Sequence, residues 1–222
     1  REMLLRYALI GAELRAVGID VNCAPIADVA DDRTHPFLRN RCYGEDADQV
    51  AQIARAVADG LLHAGVLPVI KHIPGHGRGQ VDSHKDLPRV AVERAALERD
   101  FAPFRALNDL PMGMSAHVVY EAIDPAAPAT TSARMIRVIR EEIGFAGLLM
   151  TDDLSMQALD GTPAARVAAS LEAGIDVILH CNGDLAEMQA VAAQAGALTQ
   201  AAQARAAAAL QKIGRASCRE RV

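Results

Sequence analysis

The residues best suited to chemistry lie in one run, Lys-His-Ile-Pro-Gly-His-Gly-Arg-Gly-Gln-Val-Asp-Ser-His, which spans residues 71–84. Three His, one Asp, one Lys and one Arg stand there among three Gly and one Pro. So much Gly and Pro predicts a loop with tight turns. The apolar residues 66–70 just before it predict a buried strand. Titratable side chains on a loop that follows a buried strand are typical of an α/β active site.

Asp82 and His84 form the first candidate pair within this loop. A carboxylate two residues from an imidazole can hold one ring nitrogen, so that the other nitrogen can give and then take a proton. The structural alternative is a solvated His beside an Asx-turn. That alternative is favoured for an isolated Asp-Ser-His, but the neighbouring Lys71, His72 and His76 favour the catalytic interpretation.

Asp152 is the second candidate, at the end of the apolar run 147–151. A carboxylate at a strand end can act as a nucleophile on an anomeric carbon. Asp153 follows directly, and successive side chains of a strand point to opposite faces. We therefore expect only one of the two in a pocket, and we interpret Asp153 as the cap of a following short helix.

Four further residues are candidate contacts for a ligand rich in hydroxyl groups: Lys71, His72, Arg41 and Asp28. Arg41 taken alone is more typical of a surface loop. His117, at the end of another predicted strand, is equally consistent with a ligand contact and with a hydrogen-bonded core histidine.

Two functions other than acid–base catalysis are also open. His72, His76, Asp82 and His84 are residue types that bind metals. Lys71 beside His72 would repel a cation, so we predict no metal and no cofactor. A sugar-binding fragment without activity is the other alternative.

The elements that must position these residues alternate regularly along the chain. Apolar runs predict strands at residues 19–24, 66–71, 112–116, 148–151 and 175–180. Helical patterns cover residues 2–17, 46–64, 92–107, 133–143, 163–173, 184–195 and 200–213, with Asp46 and Ser132 as N-caps. This alternation predicts a parallel sheet covered by helices. No Gly-x-Gly-x-x-Gly follows a strand, so a dinucleotide-binding fold is disfavoured.

Polar residues cluster at the carboxyl ends of the predicted strands, which is where a (β/α)8 barrel holds its chemistry. A barrel needs about eight strands, whereas this chain shows five. The pattern therefore predicts either an open sheet or part of a barrel.

Composition limits the class of protein. The chain has 222 residues and a net charge of −5, which gives no basic footprint for nucleic acid. It contains no apolar run long enough to span a membrane. Its four dispersed cysteines show no zinc or disulfide spacing and fit a reduced, cytoplasmic protein. We expect one domain over residues 1–213 and interpret the suddenly basic residues 214–222 as a non-native tail.

Three motifs together resemble one family. Lys-His-Ile-Pro-Gly-His-Gly with Asp-Ser-His four residues later, Gly-Phe-Ala-Gly-Leu-Leu-Met-Thr-Asp-Asp-Leu-Ser-Met at 144–156, and Arg-Cys-Tyr-Gly at 41–44 carry the likeness. They are similar to motifs of the bacterial glycoside hydrolase family 3 β-N-acetylglucosaminidases. In the third motif the family usually has Arg-Ser-Phe-Gly. The resemblance extends over residues 1–213.

The resemblance implies an α/β fold of the (β/α)8 TIM-barrel type, present here as an N-terminally truncated partial barrel. It implies a retaining exo-β-N-acetylglucosaminidase that acts on muropeptide fragments in cell-wall recycling. We expect a monomer whose partner is a small soluble sugar, a muropeptide or a chitooligosaccharide, and which binds neither nucleic acid nor a membrane. By this resemblance Asp152 is the nucleophile and His84, supported by Asp82, is the acid/base. Arg41, Lys71, His72 and, less strongly, Asp28 would hold the sugar.

Two expectations remain open within the resemblance. A phosphorylase of the same family would use phosphate in place of water in the second step. The family also carries strands and sugar-binding residues before the point where this sequence starts. We therefore expect the chain alone to fold poorly or to be weakly active, because missing strands expose sheet edges.

Overall fold

The sheet that holds the site is parallel and follows the order of the chain. The computed structural model describes residues 1–83 and 86–219, with side chains up to residue 213. Its strands are β1 (Val21–Asn22), β2 (Leu67–Ile73), β3 (Arg89–Val90), β4 (Met112–Ser115), β5 (Val119–Tyr120), β6 (Leu148–Asp153) and β7 (Val177–Leu179). The five-stranded sheet has the order β1-β2-β4-β6-β7, and β3 pairs with β5 in a second, two-stranded ribbon. Consecutive parallel neighbours form a curled wall of a barrel, as predicted.

Helices connect the strands. They are α1 (Glu2–Ala16), α2 (Pro36–Arg39), α3 (Ala47–His63), α4 (Glu98–Ala106), α5 (Ala133–Arg137), α6 (Pro163–Ala173), α7 (Leu185–Ala195) and α8 (Gln200–Arg219). The predicted caps are confirmed, because Asp46 accepts from the Gln49 N–H and Ser132 from the Met135 N–H. None of the helices in the described residues is long and apolar enough to cross a membrane.

Several predicted boundaries differ from the structure. The first strand is only Val21–Asn22, since a turn brings the Ala24 N–H onto the Asn22 carbonyl at 2.8 Å. The predicted helix 92–107 begins as the 3₁₀ turn Arg94–Leu97, and the predicted helix 133–143 widens into the π-turn Val138–Glu142. Helix α8 continues to Arg219, into the segment interpreted as a tail. That interpretation stays a prediction.

The sheet is buried on both faces. Ile70 packs among side chains of the outer helices, including Ala54 of α3 and Phe101 and Phe104 of α4. The opposite face carries an apolar cluster made by alternate residues of β2, β4 and β6 with Ala209 of α8: Leu67, Val69, Met112, Met114, Leu148 and Met150. Burial on both faces explains why these strands are nearly continuous apolar runs.

A buried carboxylate fixes α8 to the sheet. Asp176 accepts from the Leu149 N–H at 3.0 Å and from Arg140 Nη2 at 2.7 Å, and its other oxygen accepts from Arg205 Nη1 at 2.7 Å. These contacts join α8, β6 and the start of β7, and Asp176 is not among the residues that line the cleft described below.

The loop after β1 crosses the loop after β2. Thr34 Oγ1 donates to the Gly77 carbonyl at 2.6 Å, and the His35 N–H donates to the Gly79 carbonyl at 3.0 Å. The two backbones approach so closely that a Cβ on Gly77 would lie 1.8 Å from the Val29 carbonyl oxygen. Glycine is therefore required at position 77 because the neighbouring backbone leaves no room for a side chain, and not because of the backbone dihedral angles at that position.

We predict that Gly77→Ala lowers the free energy of unfolding by roughly 1–3 kcal/mol, because the two loops must separate to admit a methyl group. The matched control is Gly183→Ala, since no atom in the described part of the chain lies within 4 Å of a Cβ at Gly183. Urea unfolding of both variants beside the unmodified protein measures the difference. Equal stability of the two variants would show that the loops do not meet at Gly77.

Candidate active site

A cleft of about 170 Å³ opens at the carboxyl edge of the sheet. Its lining residues come from the loop after β1, from the end of β2 and its loop, and from β6: His35, Phe37, Leu38, Arg41, Lys71, His72, His76, Val81, Asp82, Ser83 and Asp152. The structure thus brings together most of the residues that sequence reasoning selected. His84, the expected acid/base, lies outside the described residues, as does Lys85.

Asp152 presents an ionised carboxylate to this cleft. Its side chain is 19% exposed, and Oδ2 lies 3.8 Å from His72 Nε2. Oδ1 accepts from the Asp153 N–H at 2.8 Å. Burial by itself would raise the pKa of Asp152, but His72, His117, this N–H and Lys71 lower it below the usual value. A low pKa and an accessible oxygen suit a nucleophile or a stabiliser of positive charge.

Asp153 is not among the residues that line the cleft, which agrees with the alternation of side chains along a strand. It closes a turn, where its oxygens accept from the Ser155 N–H at 3.0 Å and the Ser155 hydroxyl at 2.5 Å. It also accepts from the Cys181 N–H at 3.0 Å, which ties β6 to the end of β7. We expected a helix cap here, but residues 154–159 contain no helix, so Asp153 stabilises a turn.

Asp28 does not lie where the sequence prediction placed it. Its side chain is fully buried beneath His72, so it cannot contact a ligand in the cleft. The chain after Pro25 turns under the end of β2, where Asp28 Oδ2 lies 2.7 Å from His72 Nδ1. Burial by itself would raise the pKa of Asp28, but His72 and His76 lower it. The direct ligand contact expected of Asp28 is therefore wrong.

Lys71 and Arg41 bring positive charge to the cleft. Burial lowers the pKa of Lys71, and Arg41 lowers it further, whereas Cys23 and Asp152 act in the opposite direction. The Arg41 guanidinium lies 5.2 Å from the centre of the Phe37 ring. These two side chains can donate hydrogen bonds to hydroxyl groups or to an anion.

His117 is a core residue. It is completely buried, with Nδ1 2.8 Å from Thr130 Oγ1 and Nε2 3.1 Å from the Asp153 carbonyl oxygen. Burial lowers its pKa. Of the two readings that the sequence left open, the hydrogen-bonded core residue is confirmed, although His117 still contributes to the low pKa of Asp152.

The metal-site alternative gains no support from the described residues, which contain no group of three His, Cys, Asp or Glu side chains arranged to hold an ion. His72 Nδ1 already faces Asp28. His76 Nδ1 is buried and has no hydrogen-bond partner within residues 1–83 and 86–213. A Cβ added to Gly79 would lie 2.8 Å from it.

Sequence reasoning missed several residues that line the cleft: His35, Phe37, Leu38 and Val81. His35 caps the one-turn helix α2, which begins with Pro36 and directs Phe37 and Leu38. The available signals were the unusual length of the loop over residues 25–44 and the His-Pro pair that opens a helical turn.

The fold and the site define a class, a barrel-type α/β domain with a carboxylate and histidines at the carboxyl ends of its strands. Comparison with known protein families identifies the family to which this chain belongs. Residues 7–216 match the glycosyl hydrolase family 3 N terminal domain, and the chain belongs to this family. The family that the motifs predicted is thereby confirmed.

The names of similar curated proteins are consistent with this family. A beta-hexosaminidase of Methylococcus capsulatus is 41% identical over 179 residues, which are 78% of this chain and 53% of that protein. A beta-hexosaminidase of Bordetella pertussis is 39% identical over 188 residues, 81% of this chain and 52% of that protein. The chain therefore spans about half the length of the curated relatives it matches.

Solved structures share the fold. The family 3 beta-N-acetylglucosaminidase of Paenibacillus sp. FPU-7 superimposes with a TM-score of 0.86 and 31% identity, over 97% of this chain and 43% of that one. NagZ from Neisseria gonorrhoeae in complex with N-trifluoroacetyl-D-glucosamine gives 0.83 and 30%, over 96% and 64%. The fold is that of the TIM-barrel type, and the chain covers part of the barrel.

Burial of His76 predicts a specific dependence of stability on pH. Burial, reinforced by His72, lowers the pKa of His76 from 6.5 to about 4. As the pH falls, His76 therefore takes up a proton at a higher pH in the unfolded state than in the folded state. The contribution of neutral His76 to the free energy of unfolding is fully present above about pH 6.5 and is lost as the pH falls towards 4. The loss is on the order of 3 kcal/mol.

Urea unfolding at pH 7, 5.5 and 4.5 measures this loss. His76→Asn should flatten the dependence, whereas His63→Asn, a change at an exposed position on α3, should leave it as in the unmodified protein. If the free energy of unfolding of His76→Asn falls with pH as steeply as that of the unmodified protein, the low pKa of His76 does not cause the loss of stability.

Proposed function

We propose that the protein containing this chain is a retaining exo-β-N-acetylglucosaminidase. The observation that carries the proposal is the ionised Asp152 carboxylate, which faces the cleft between His72 and the cationic Lys71. The names of the relatives and the N-acetylglucosamine derivative bound by a structural neighbour support the choice of sugar.

In the first step, one carboxylate oxygen of Asp152 attacks the anomeric carbon and the bond to the leaving oxygen breaks. His84 gives its proton to that oxygen, and Asp82 orients His84. In the second step, a water gives a proton to His84 and attacks the anomeric carbon. The bond to Asp152 breaks, and the sugar leaves with its original configuration.

Sugar recognition falls to the polar residues around Asp152. Arg41 and Lys71 donate hydrogen bonds to hydroxyl oxygens, and His72 presents Nε2 beside the nucleophile. Asp152 bonds to the anomeric carbon in the first step and is displaced from the same carbon in the second. The sugar therefore stays beside Asp152 throughout, and Arg41, Lys71 and His72 hold it in both steps.

The biological setting is an extension of this proposal. Muropeptide fragments released during cell-wall recycling supply terminal N-acetylglucosamine, and a small soluble substrate suits a cleft of this size. A cytoplasmic location, a monomeric state and the absence of nucleic-acid and membrane partners stay predictions.

We predict that Asp152→Ala lowers kcat/KM on a chromogenic β-N-acetylglucosaminide by about 10⁴-fold or more, since no covalent intermediate can form. The matched control is Asp153→Ala, which removes the adjacent carboxylate, a turn-forming group that is not among the residues lining the cleft. Normal turnover by Asp152→Ala would exclude it as the nucleophile.

A phosphorylase is the second candidate, favoured by one observation. Lys71 and Arg41 both line the cleft, and a histidine acid/base would not repel an anion as a second carboxylate would. In this reaction inorganic phosphate attacks the glycosyl-enzyme, the bond to Asp152 breaks and a sugar 1-phosphate leaves.

Product analysis with and without phosphate separates the two reactions. We expect free N-acetylglucosamine as the main product in both conditions, with turnover unchanged by phosphate. A sugar 1-phosphate as the main product, with a rate that rises with phosphate, would replace the hydrolase assignment by the phosphorylase one.

A further inference from the structure

The buried Asp28 carboxylate receives three N–H groups and divides them between its two oxygens. Oδ1 accepts from the backbone N–H of His72 at 3.2 Å and from that of His76 at 2.6 Å. Oδ2 lies 2.7 Å from His72 Nδ1. The side chain has no exposure to solvent, so these contacts take the place of water.

The charge state of Asp28 decides which ring nitrogen carries the proton. His72 and His76 lower the pKa of Asp28 against the effect of its burial, so the carboxylate is ionised at neutral pH. An ionised carboxylate only accepts hydrogen bonds. His72 Nδ1 must therefore carry a hydrogen, and the ring can gain or lose a proton only at Nε2.

His72 Nε2 is the nitrogen on the cleft side. It lies 3.8 Å from Asp152 Oδ2, too far for a direct hydrogen bond and close enough for strong electrostatic coupling. While the ring is neutral, Nε2 is an acceptor for a hydroxyl group. When the ring is charged, Nε2 becomes a donor beside the nucleophile.

We propose that Asp28 is a positioning residue, which fixes the tautomer of His72 and leaves Nε2 as the exchangeable, ligand-facing nitrogen. Asp28 touches neither ligand nor nucleophile and acts only through the imidazole. Its expected effect on turnover rests on the proposed function, whereas the tautomer itself does not.

Asp28→Asn tests the tautomer of His72 because the two backbone N–H groups bind one oxygen of Asp28 and the His72 ring faces the other. The amide oxygen can keep both backbone N–H bonds, which places the amide NH₂ group on His72 Nδ1. The ring must then accept at Nδ1 and, while neutral, carry its hydrogen at Nε2. The backbone support survives, and the group presented to the cleft changes from an acceptor to a donor.

Nitrogen-15 NMR of histidine-labelled protein reads the tautomer without any need for activity, and the His72 signals are identified from their loss in His72→Gln. We expect a protonated Nδ1 in the unmodified protein and an unprotonated Nδ1 in Asp28→Asn. The control is Asp176→Asn, another buried carboxylate with a backbone and two guanidinium partners, which should lower the melting temperature without moving the His72 signals. A neutral His72 protonated only at Nε2 in the unmodified protein would overturn the proposal, and this outcome can be read even if Asp28→Asn does not fold.

A double-mutant cycle tests whether Asp28 acts through His72. Asp28→Asn alone should lower kcat/KM by roughly 10- to 100-fold, by analogy with the losses seen when the carboxylate that orients a metal-binding histidine is changed. In the His72→Gln background the same change should cost less than about threefold, because coupled residues are not additive. Full additivity of the two losses would overturn the positioning role. If the unmodified protein shows no glycosidase or phosphorylase turnover, the proposed function fails and the NMR result still decides the tautomer.

Discussion

The contact on which the site depends is the one between the Asp28 carboxylate and the end of strand β2. Removing an ionised carboxylate from water costs several kcal/mol unless hydrogen bonds replace the lost hydration. Here the His72 ring and the backbone N–H groups of His72 and His76 replace it. The loop after β1 is thereby fastened to the loop after β2, and the two loops supply most of the cleft wall.

Electrostatics inside the cleft follow from this arrangement. Asp152 lies near three groups that lower its pKa, His72, His117 and Lys71, although burial opposes them. His76, in contrast, stays neutral down to about pH 4, because its buried ring meets desolvation and the neighbouring His72. The site thus keeps the Asp152 carboxylate ionised at the cleft, while the buried His76 ring beneath it adds no positive charge near neutral pH.

The sequence was sufficient for the features that depend on periodicity and on the geometry of parallel strands. The five sheet strands, the shared edge for Lys71, His72 and Asp152, and the separation of Asp153 from the cleft lining all follow from such rules. Asp28 was misplaced because its partner His72 is 44 residues away, and a local pattern does not reveal which loop passes under a strand end. Likewise, Phe37 and His35 reach the cleft through a one-turn helix whose direction is set by tertiary contacts.

The role proposed for Asp152 is to form the covalent bond to the sugar. A 5-fluoro derivative of N-acetylglucosaminyl fluoride tests it directly, since the ring fluorine slows both steps and the good leaving group restores the first. Peptide mass mapping of the labelled protein should place the added sugar on Asp152, and Asp152→Asn should remain unlabelled. A label on another carboxylate, or sustained hydrolysis by Asp152→Asn, would contradict the account.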